Sequence, residues 1–553
     1  MPETSNSAAP AADSGGYTLP TYPYVTPPEL SGGDRGVYPV VIVGAGLSGL
    51  TLACDLANRG IASVLLDEDD TIGVRGASSR GICYAQRSLE VFDRLGTYER
   101  MRAKGITWST ARVLSGDEAL YSYDLSLASK SKQPPFINLQ QFYVEWYLVD
   151  RIQALGSTDI RWRNRVLDAS QEDGHEGSHV LLTVGTPDGE YQLRAQWVLD
   201  AAGVASVTRD KLGLDTHTHN GHDRWCITDV RFKKPLPVER WTWIEAPFNE
   251  NRGVWQHLMA DGVWRLDFQM EADADPAYVA RPDVAHERVR AMLGPDVEFD
   301  IVWVGAYSYR RQLLDDYRDG RVFFLGDAAH VTNPFGARGG NTGIQDADNL
   351  GWKLALVLQG QAPEALLDSY NAERRYLQLH NTKVTDRSGR FMSPPTPGER
   401  HLRTAVLGLA RSFPFARAIL NPGRMSAPVD YVESPLNGGL GTAEGKAVPN
   451  LALGNGRWLA DLVREGTAFV ALAFERVPAG VVAAGLSTLG ERYPLRVLTL
   501  DAGSDEVLAF MTEINAPVGS IALLRPDLHL ATVLKQPSAA LLERALRRAL
   551  GHP

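Results

Sequence analysis

Three glycines near the start of the chain have the spacing of a dinucleotide phosphate site. They are Gly44, Gly46 and Gly49, and they directly follow the β-like apolar run 39–43. In this arrangement the first glycine permits a tight turn, the second lets a pyrophosphate approach the backbone, and the third allows close helix–strand packing. A helix that begins here would offer unpaired N–H groups and its positive dipole to the phosphates.

The elements predicted around these glycines support the same interpretation. A helix is predicted over residues 47–58, with Gly60 as its C-cap residue. A second strand, residues 62–66, ends at Asp67, whose carboxylate can accept hydrogen bonds from adenosine ribose hydroxyls. Strand, helix and acid in this order predict dinucleotide binding, but they do not distinguish FAD from NAD.

A second glycine-containing segment is more specific. A strand ends in Gly326 and Asp327, a loop with Pro334 follows, and the pair Gly339 and Gly340 begins a helix. This segment resembles the Gly-Asp motif of class A flavoprotein monooxygenases, the family of para-hydroxybenzoate hydroxylase and phenol hydroxylase. The resemblance is strongest to the members that are similar to 3-(3-hydroxyphenyl)propionate hydroxylase.

The resemblance implies that the cofactor is FAD. Asp327 would accept hydrogen bonds from the ribityl hydroxyls, and Gly326 would leave their path free of a side chain. The backbone N–H groups of Gly339, Gly340 and Asn341 would face N1 and the C2 carbonyl of the flavin. The positive helix dipole at that point favours an anionic reduced flavin.

Other residues match the family one by one. Arg80 corresponds to an arginine beside FAD, and Gln141 to the glutamine of a Gln-x-x-x-Glu-x-x-Leu element that contacts the cofactor. The alternative for Gln141 is a polar surface helix. Val166 matches a strand position near the adenine, and Pro334 a loop position beside the isoalloxazine, where family members place the substrate. His330 is expected to be structural and not a base.

One stretch departs from the family pattern. The family has an Asp-Gly pair followed by an arginine and a serine, whereas this chain has Ala202 and Ala205 at the aspartate and arginine positions. Gly203 and Ser206 match. Alanine offers neither charge nor a hydrogen bond, and Asp200, two residues earlier, is not expected simply to replace the missing aspartate. The departure affects the expected binding of NAD(P)H more than that of FAD.

The predicted fold class is α/β, a Rossmann-like FAD-binding domain with an inserted antiparallel β-sheet substrate domain and a C-terminal thioredoxin-like domain. Alternating strand and helix patterns indicate the first domain, and short runs rich in Trp, Val, Tyr and Thr indicate the sheet. The predicted segments are a flexible N-terminal arm (1–37), the FAD-binding domain (38–214 and 313–400), the substrate domain (215–312), a linker (401–447) and the last domain (448–553).

The last of these segments resembles the thioredoxin-like domain of phenol hydroxylase-type members. It contains no cysteine and so no CxxC pair, which excludes thiol chemistry there. The expected role is a contact in a homodimer or scaffolding.

The amino-acid composition limits the classes of partner that are expected. The 553 residues include 56 Lys+Arg and 66 Asp+Glu, and the net charge of −10 argues against nucleic acid or an anionic membrane as a partner. The three cysteines, Cys54, Cys83 and Cys226, are far apart, so neither a disulfide framework nor a metal site is expected. The polar start lacks a signal-peptide pattern, and no apolar run reaches the ~18 residues of a spanning helix. A cytoplasmic protein is expected.

The resemblance implies a reaction in which NADH or NADPH reduces FAD, O₂ gives a flavin C4a-hydroperoxide, and a small phenolic substrate is hydroxylated. A base would help to ionise a phenol; Asp229, Tyr307 and Tyr309 are candidates, and the spacing selects none of them. Two alternatives stay open. One is a flavoenzyme of this fold that oxidises, dehalogenates or epoxidises a larger aromatic or polyketide substrate. The other is a non-catalytic FAD-bound scaffold or sensor.

Overall fold

The computed structural model describes residues 17–33, 36–73, 81–124, 130–174, 177–333, 335–420, 426–464, 466, 468–476 and 486–553. Its strands are β1 (Val37–Val43), β2 (Ser63–Leu66), β3 (Cys83–Ala85), β4 (Ile106–Thr107), β5 (Thr110–Ser115), β6 (Glu118–Asp124), β7 (Phe136–Asn138), β8 (Thr158–Arg161), β9 (Arg165–Gly174), β10 (Gly177–Thr186), β11 (Gly189–Asp200), β12 (Thr216–Phe232), β13 (Arg240–Ala246), β14 (Arg252–Leu258), β15 (Val263–Met270), β16 (Phe299–Leu314), β17 (Arg318–Asp319), β18 (Val322–Phe324), β19 (His330–Val331), β20 (Phe469–Glu475), β21 (Leu495–Asp501), β22 (Ile521–Leu524) and β23 (Leu530–Leu534).

The α-helices of the same described ranges are α1 (Leu47–Asn58), α2 (Gln86–Leu95), α3 (Tyr98–Lys104), α4 (Gln141–Leu155), α5 (Val207–Lys211), α6 (Pro276–Val279), α7 (Pro282–Leu293), α8 (Gly339–Leu358), α9 (Asp368–Met392), α10 (Pro397–Ala410), α11 (Pro414–Leu420), α12 (Asp505–Glu513) and α13 (Ala539–Ala549). None of the helices in the described part of the chain is long and apolar enough to cross a lipid bilayer.

The first sheet has a parallel core in the order β18-β11-β1-β2-β8. β10 and β9 extend it in antiparallel fashion from β11. Helices α1, α4 and α8 cover the sheet, and residues 40–43 and 63–66 are fully buried between the layers. Parallel strands that are covered on both faces need continuous apolar runs. The predicted first helix is confirmed, since α1 ends at Asn58 and Gly60 follows it with φ of +75°.

The second sheet has the order β19-β16-β12-β15-β14-β13-β5-β6. The predicted antiparallel strands at 225–230 and 263–268 pair with each other in register. The sheet also includes β5 and β6, which come from an earlier part of the chain than the segment 215–312. β13 pairs with β5 in parallel. This pairing is hard to predict from local patterns, because the two strands are far apart in the sequence.

The two faces of this sheet differ in chemistry. One face is apolar and packs against Val289 of α7; its buried residues are Leu114, Val230, Trp243, Ala246, Val254, Trp264, Leu266 and Phe268. The other face carries aromatic and ionisable side chains and lies against the first domain. Because side chains alternate along a strand, the register keeps these two sets apart.

The third sheet has the order β21-β20-β22-β23, with β20 and β21 parallel and the other neighbours antiparallel. All seven residues of β20 are buried. One side of this strand faces α12, and the other faces α8 through Phe469, whose ring meets Trp352 at 5.6 Å between centroids. The C-terminal unit is thus packed directly on the long helix of the first domain.

The predicted arm and the predicted linker both include residues that the structure describes. Residues 17–33 lie over the first domain, where the ring of Tyr22 stacks on Trp162 at 4.5 Å; residues 1–16 of the predicted arm lie outside the described residues. The predicted linker 401–447 begins inside α10. Thr396 and Glu399 form a reciprocal capping box at the start of this helix, a local signal that favours helix over linker.

Replacing Phe268 by alanine tests the apolar face of the second sheet. The ring is fully buried, so its loss leaves a cavity, and we expect the free energy of unfolding to fall by about 3–5 kcal/mol. Urea denaturation followed by tryptophan fluorescence measures this. Val238→Ala is the control, because Val238 is 50% exposed. Equal stability of the two variants would contradict the assignment of this face to the core.

Candidate active site

Four parallel strands end side by side at one edge of the first sheet. The register pairs Val43 with both Leu66 and Asp200, and Asp200 with Phe324. In open α/β sheets a ligand binds beyond the carboxyl ends, where neighbouring connections run in opposite directions. The loops that leave this edge carry five of the predicted cofactor residues, Gly44, Gly46, Asp67, Gly326 and Asp327, and Gly49 lies in the first turn of α1.

The first glycine motif is shaped by close backbone contacts. Gly44 has φ of +100°, and a Cβ there would lie 2.6 Å from the carbonyl oxygen of Ala201. A Cβ at Gly49 would lie 2.0 Å from the carbonyl oxygen of Gly44. Gly46, the N-cap residue of α1, differs because a Cβ there would meet nothing within 4 Å. Its backbone faces open space at a helix N-terminus, where a phosphate can bind.

Asp67 reaches from the end of β2 to this turn. Its Oδ2 accepts a hydrogen bond from the N–H of Ala45 (2.5 Å), and its Oδ1 accepts one from the N–H of Asp69 (2.9 Å). Burial raises the pKa of Asp67 to about 6, although the two N–H donors lower it. The carboxylate is therefore fixed beside the phosphate turn and could accept further hydrogen bonds from a ribose.

The second predicted turn packs on the first motif. Gly326 has φ of +59°, and a Cβ there would lie 2.4 Å from Oγ of Ser48. A Cβ at Gly343 would lie 2.2 Å from the same Oγ and 3.3 Å from Cα of Gly326. Asp327 is exposed, although the residues on both sides of it are buried. Ser48 thus joins the two motifs, and the Asp327 carboxylate faces out of the core at the site.

The start of α8 completes this edge. The first α-helical N–H bond runs from Thr342 to the carbonyl of Arg338 at 2.8 Å. The N–H groups of Gly339, Gly340 and Asn341 precede it, so they are the donors that a helix N-terminus leaves for a ligand.

The side chain of Asn341 serves another purpose. Its Oδ1 accepts hydrogen bonds from the N–H of Ala85 (2.9 Å) and from Oγ of Ser88 (2.6 Å). Its Nδ2 donates to the carbonyls of Cys83 (2.8 Å) and Ala337 (2.6 Å). The amide therefore ties β3 and α2 to the start of α8, which leaves the backbone N–H as the group of this residue that could donate to a ligand.

A buried carboxylate supports the second turn from behind. Asp346 accepts hydrogen bonds from the N–H of Gly326 (3.0 Å) and from Nε of Arg374 (2.7 Å), and it pairs with Nε2 of His330 (2.7 Å). Burial alone would raise the pKa of Asp346, but His330 and Arg374 outweigh it and lower the pKa to about 2. This placement of His330 agrees with its expected structural role.

Gln141 and Glu145 of α4 contact the residues on either side of the segment 74–80, which contains Arg80. The N–H of Gly73 donates to Oε2 of Glu145 (2.9 Å), and the N–H of Gly81 donates to Oε1 of Gln141 (3.1 Å). Gln141 Nε2 donates to Oε1 of Glu145 (2.8 Å). Gln141 is therefore part of an anchoring pair; Arg80 itself lies outside the described residues.

Val166 belongs to the apolar core of the first domain. It lies on β9 opposite Val184 and is 5% exposed. Two residues earlier, the N–H of Asn164 donates to the carbonyl of Asp67 at 2.7 Å. The strand therefore starts beside the Asp67 loop, although the valine side chain itself points into the core.

The stretch that departs from the family pattern, residues 200–206, forms a tight turn next to Gly44. Asp200 is fully buried, and its carboxylate accepts hydrogen bonds from the N–H of Ala202 (2.9 Å) and from Oγ of Ser206 (2.6 Å). Ala202 is exposed. Arg209 of α5 donates to the carbonyl of Ala328 at 3.1 Å, which links the turn to the Gly-Asp segment. Asp200 is engaged inside the turn and does not take the outward position of the missing aspartate.

The aromatic face of the second sheet closes against the loop that leads to α8. Trp225 and Trp255 stack with centroids 4.3 Å apart, and Phe335 meets Trp255 edge-on at 5.4 Å. Pro334, the predicted pocket residue, lies outside the described residues, next to Phe335. Met392 of α9 packs on the same cluster. A buried apolar cluster thus joins the second sheet to the segment between the Gly-Asp turn and α8.

A buried polar group lies on the same face. Nδ1 of His257 is 4.0 Å from Sγ of Cys83, and its Nε2 is 3.9 Å from Oδ2 of Asp267. Asp267 also pairs with Nε of Arg265 at 2.8 Å. Burial, with Arg240 and Arg265 nearby, holds the pKa of His257 well below its usual range. Sequence reasoning missed this group; the signal was two ionisable residues, Arg265 and Asp267, at alternate positions of an apolar strand.

The three candidate bases have different surroundings. Asp229 is buried and lies opposite Arg265 in the sheet register. Tyr307 is 46% exposed, and the side chain of Tyr309 is outside the described part of the structure. Burial beside the polar group therefore favours Asp229 over Tyr307.

The arrangement fits a flavin dinucleotide. Open backbone at Gly46, a fixed carboxylate at Asp67, an exposed carboxylate at Asp327 and the N–H groups of the first three residues of α8 follow one edge of the sheet. Such a row of donors and acceptors suits an extended ligand with phosphates near one helix and a polar ring near another.

Comparison with known proteins agrees with this geometry. Residues 37–388 match the model of the FAD binding domain family. An anhydrotetracycline 6-monooxygenase (also a 12-dehydrotetracycline 5-monooxygenase) of Streptomyces rimosus is 31% identical over 67% of this chain and 73% of its own. A 3-(3-hydroxy-phenyl)propionate/3-hydroxycinnamic acid hydroxylase of Mycolicibacterium smegmatis is 28% identical over 67% of this chain, and the match spans 64% of that relative.

The fold has close counterparts among solved structures. A flavin-dependent monooxygenase in complex with FAD and substrate superposes with a TM-score of 0.78 at 21% identity, over 94% of this chain and 100% of its own. The chain belongs to the FAD binding domain family, within the class A flavin-dependent aromatic monooxygenases, as the resemblance predicted.

Replacing Gly343 by alanine tests the contact between the two motifs. The new methyl group would collide with Oγ of Ser48, so we expect FAD affinity to fall about tenfold, which corresponds to ~1.4 kcal/mol. Titration of the apoprotein with FAD, followed by flavin fluorescence, measures it. Adding Ser48→Ala should restore part of the affinity, because it removes the colliding atom.

Gly408→Ala provides the matched control for that helix glycine. A Cβ at Gly408 would meet nothing within 4 Å, so this change should leave FAD affinity unaltered and stabilise α10 by about 1 kcal/mol. Normal FAD binding by the Gly343→Ala variant would show that the close contact is not needed.

Proposed function

We propose that this protein is an FAD-dependent monooxygenase that hydroxylates a phenolic aromatic substrate, with O₂ and NADH or NADPH as co-substrates. Bound FAD would supply the hydride acceptance from the nicotinamide and the activation of O₂. The protein's own residues would bind the cofactor, orient the aromatic ring and exclude water from the reacting carbon.

The proposed FAD contacts follow the row of loops at the sheet edge. The pyrophosphate would lie against Gly46 at the start of α1, and the adenosine ribose would donate to Asp67. The ribityl chain would donate to Asp327, and Gly339 and Gly340 would donate N–H groups to the pyrimidine side of the flavin. Arg80, Gln141, Val166 and Asn341 are proposed to surround these contacts.

The observation that carries the choice of substrate is the aromatic wall. Trp225, Trp255 and Phe335 form a continuous contact from the second sheet to the loop before α8. The three rings are buried against one another, and a flat apolar ring beside them would extend the cluster by stacking or by edge-to-face contact. We therefore propose that the second sheet, β5 and β6 included, is the substrate domain and that Pro334 lies beside the substrate.

The polar group on the same face would bind the substrate's hydroxyl. His257 is buried, and burial with Arg240 and Arg265 nearby holds its pKa well below the usual range, so the neutral imidazole could accept a hydrogen bond through one ring nitrogen. Asp267, whose Oδ2 lies 3.9 Å from Nε2 of His257, pairs with Arg265 and completes the polar group. Asp229 is an alternative acceptor on the neighbouring strand. These residues are proposed to hold and ionise a phenol, and no single base is assigned among them.

The C-terminal unit is proposed to be a thioredoxin-like domain. Its sheet order, with one parallel and two antiparallel pairings, supports this assignment. The described residues 448–464, 466, 468–476 and 486–553 contain no cysteine, so a structural role is proposed.

A larger polycyclic substrate is a second candidate, and one observation favours it. A groove of about 560 Å³ opens beside Met392 and the edge of the aromatic cluster, lined in part by Gln269, Ser393 and Arg403. Cavities of roughly 300–1,000 Å³ accommodate ligands larger than a single ring. Ala202 in place of the family aspartate also permits a different mode of reduction.

The direct test follows NADH and NADPH oxidation in air by the purified flavoprotein, with a panel of substituted phenols and tricyclic or tetracyclic phenols. We expect one class to accelerate nicotinamide oxidation at least about tenfold and to gain one oxygen atom, detected by mass spectrometry. Acceleration only by polycyclic phenols would select the second candidate. Flavin that no nicotinamide reduces with any phenol would refute both.

The pH dependence of FAD affinity tests the role of Asp67. Its raised pKa of about 6 means that the carboxylate is protonated below that pH. In the apoprotein, ionisation of Asp67 therefore lowers stability as the pH rises from about 4 to 6. Because the ribose should donate to the ionised form, we expect FAD affinity to increase as the pH rises from 5 to 7.5.

Two variants complete this measurement. Asp67→Asn should remove the pH dependence and weaken FAD binding at pH 7.5 about tenfold, the loss of one charge-assisted hydrogen bond. Glu68→Gln changes the adjacent, half-exposed carboxylate and should leave affinity within about twofold. A wild-type affinity that is flat from pH 5 to 7.5 would be the contrary result.

A further inference from the structure

The C-terminal unit inserts charged side chains into the first domain. Arg525, which follows β22, binds both carboxylate oxygens of Glu373 on α9, at 2.6 and 2.9 Å. It also donates to Asp527 at 2.6 Å. Lys353 of α8 donates to the same Glu373 at 2.7 Å. These side chains are at most 1% exposed, so the charges must stay paired.

Arg374, which follows Glu373 on α9, extends these contacts to the Gly326–Asp327 turn, called the flavin turn below. Arg374 donates from Nε to Asp346 (2.7 Å) and from Nη2 to the carbonyl of Thr342 in the first turn of α8 (3.2 Å). Asp346 in turn accepts the N–H of Gly326 (3.0 Å). One guanidinium therefore holds both the start of α8 and the turn that carries Asp327.

Tyr431 connects this guanidinium to the C-terminal unit. Its hydroxyl accepts a hydrogen bond from Nη1 of Arg374 at 2.6 Å. Its ring stacks on His529 with centroids 4.3 Å apart, and the guanidinium of Arg525 lies 5.5 Å from the ring centre. Tyr431 is 2% exposed. The ring is fixed by the C-terminal unit, and its hydroxyl is fixed on the support of the flavin turn.

We propose that Tyr431 is a positioning residue for the FAD site, through which the C-terminal unit sets the geometry of the Gly326–Asp327 turn and the N-terminus of α8. The proposal rests on the FAD site described above but not on the reaction or the substrate. It gives the cysteine-free C-terminal unit a specific task.

The physical reason is the cost of an unpaired buried donor. Without the Tyr431 hydroxyl, Nη1 of Arg374 loses its acceptor in a site that water does not reach. A buried guanidinium will shift to recover a partner. Any shift of Arg374 moves Asp346 and the Thr342 carbonyl with it, and these contact the two backbone segments that face the flavin.

Tyr431→Phe tests this proposal, since it removes the hydroxyl and keeps the stacked ring. The full-length apoprotein is titrated with FAD, and the visible absorption band of the bound flavin is recorded. We expect the FAD dissociation constant to rise about tenfold and the fine structure of the band to weaken as the flavin becomes more mobile.

Ser434→Ala is the matched control. Ser434 donates to Glu373 at 2.6 Å, so this change also removes one buried hydroxyl from the network, but one that bonds to Glu373 and not to Arg374. Both variants should lower the thermal midpoint by similar amounts, whereas Ser434→Ala should keep the FAD dissociation constant within about twofold.

The FAD affinities of the two variants decide whether the proposal holds. Equal FAD affinities for Tyr431→Phe, Ser434→Ala and wild type would overturn the proposal, and so would equal losses in both variants, which would indicate general destabilisation. If Tyr431→Phe does not fold, His529→Ala removes the stacking partner instead and should raise the FAD dissociation constant in the same way. A wild-type chain that binds no FAD would overturn the FAD site itself and this proposal with it.

Discussion

Everything at this site depends on four parallel strands that end at the same level. The pairing of Val43 with Leu66 and Asp200, and of Asp200 with Phe324, fixes where the following loops emerge. Chain segments far apart in sequence then come within van der Waals distance around Ser48, which only glycine allows at positions 326 and 343. The cofactor edge is thus a product of backbone register, and its glycines are required by contact as well as by conformation.

Buried ion pairs and hydrogen bonds stabilise this geometry from within the core. Asp346 accepts hydrogen bonds from the Gly326–Asp327 turn and from Arg374, and both carboxylate oxygens are engaged in a site without solvent. Glu373 beside Arg374 plays the corresponding part toward the C-terminal unit. Buried charges of this kind cost desolvation free energy, and they specify one arrangement because any alternative leaves a charge unpaired. The C-terminal sheet is in this sense continuous with the cofactor site.

The two faces of the second sheet carry different kinds of side chain. Phe268 and its neighbours bury one face against α7, which makes the sheet stable without using the other face. The other face carries stacked tryptophans and ionisable groups, among them His257 and Asp267, and these ionisable groups contribute less to stability than apolar residues would. Its contact with the first domain through Phe335 places this chemistry next to the loop before α8.

The sequence alone determined what is local. The helix 47–58 with Gly60 behind it, the Gly-Asp turn and the strands of the last domain depend on residues that are neighbours in the chain, and their patterns predicted them. The tertiary structure decided what depends on distant pairing. It placed β5 and β6 in the second sheet, it brought His257 to Cys83, and it joined Tyr431 to Arg374. No periodicity encodes such contacts, because burial and register between segments far apart in sequence, and not local preference, determine them.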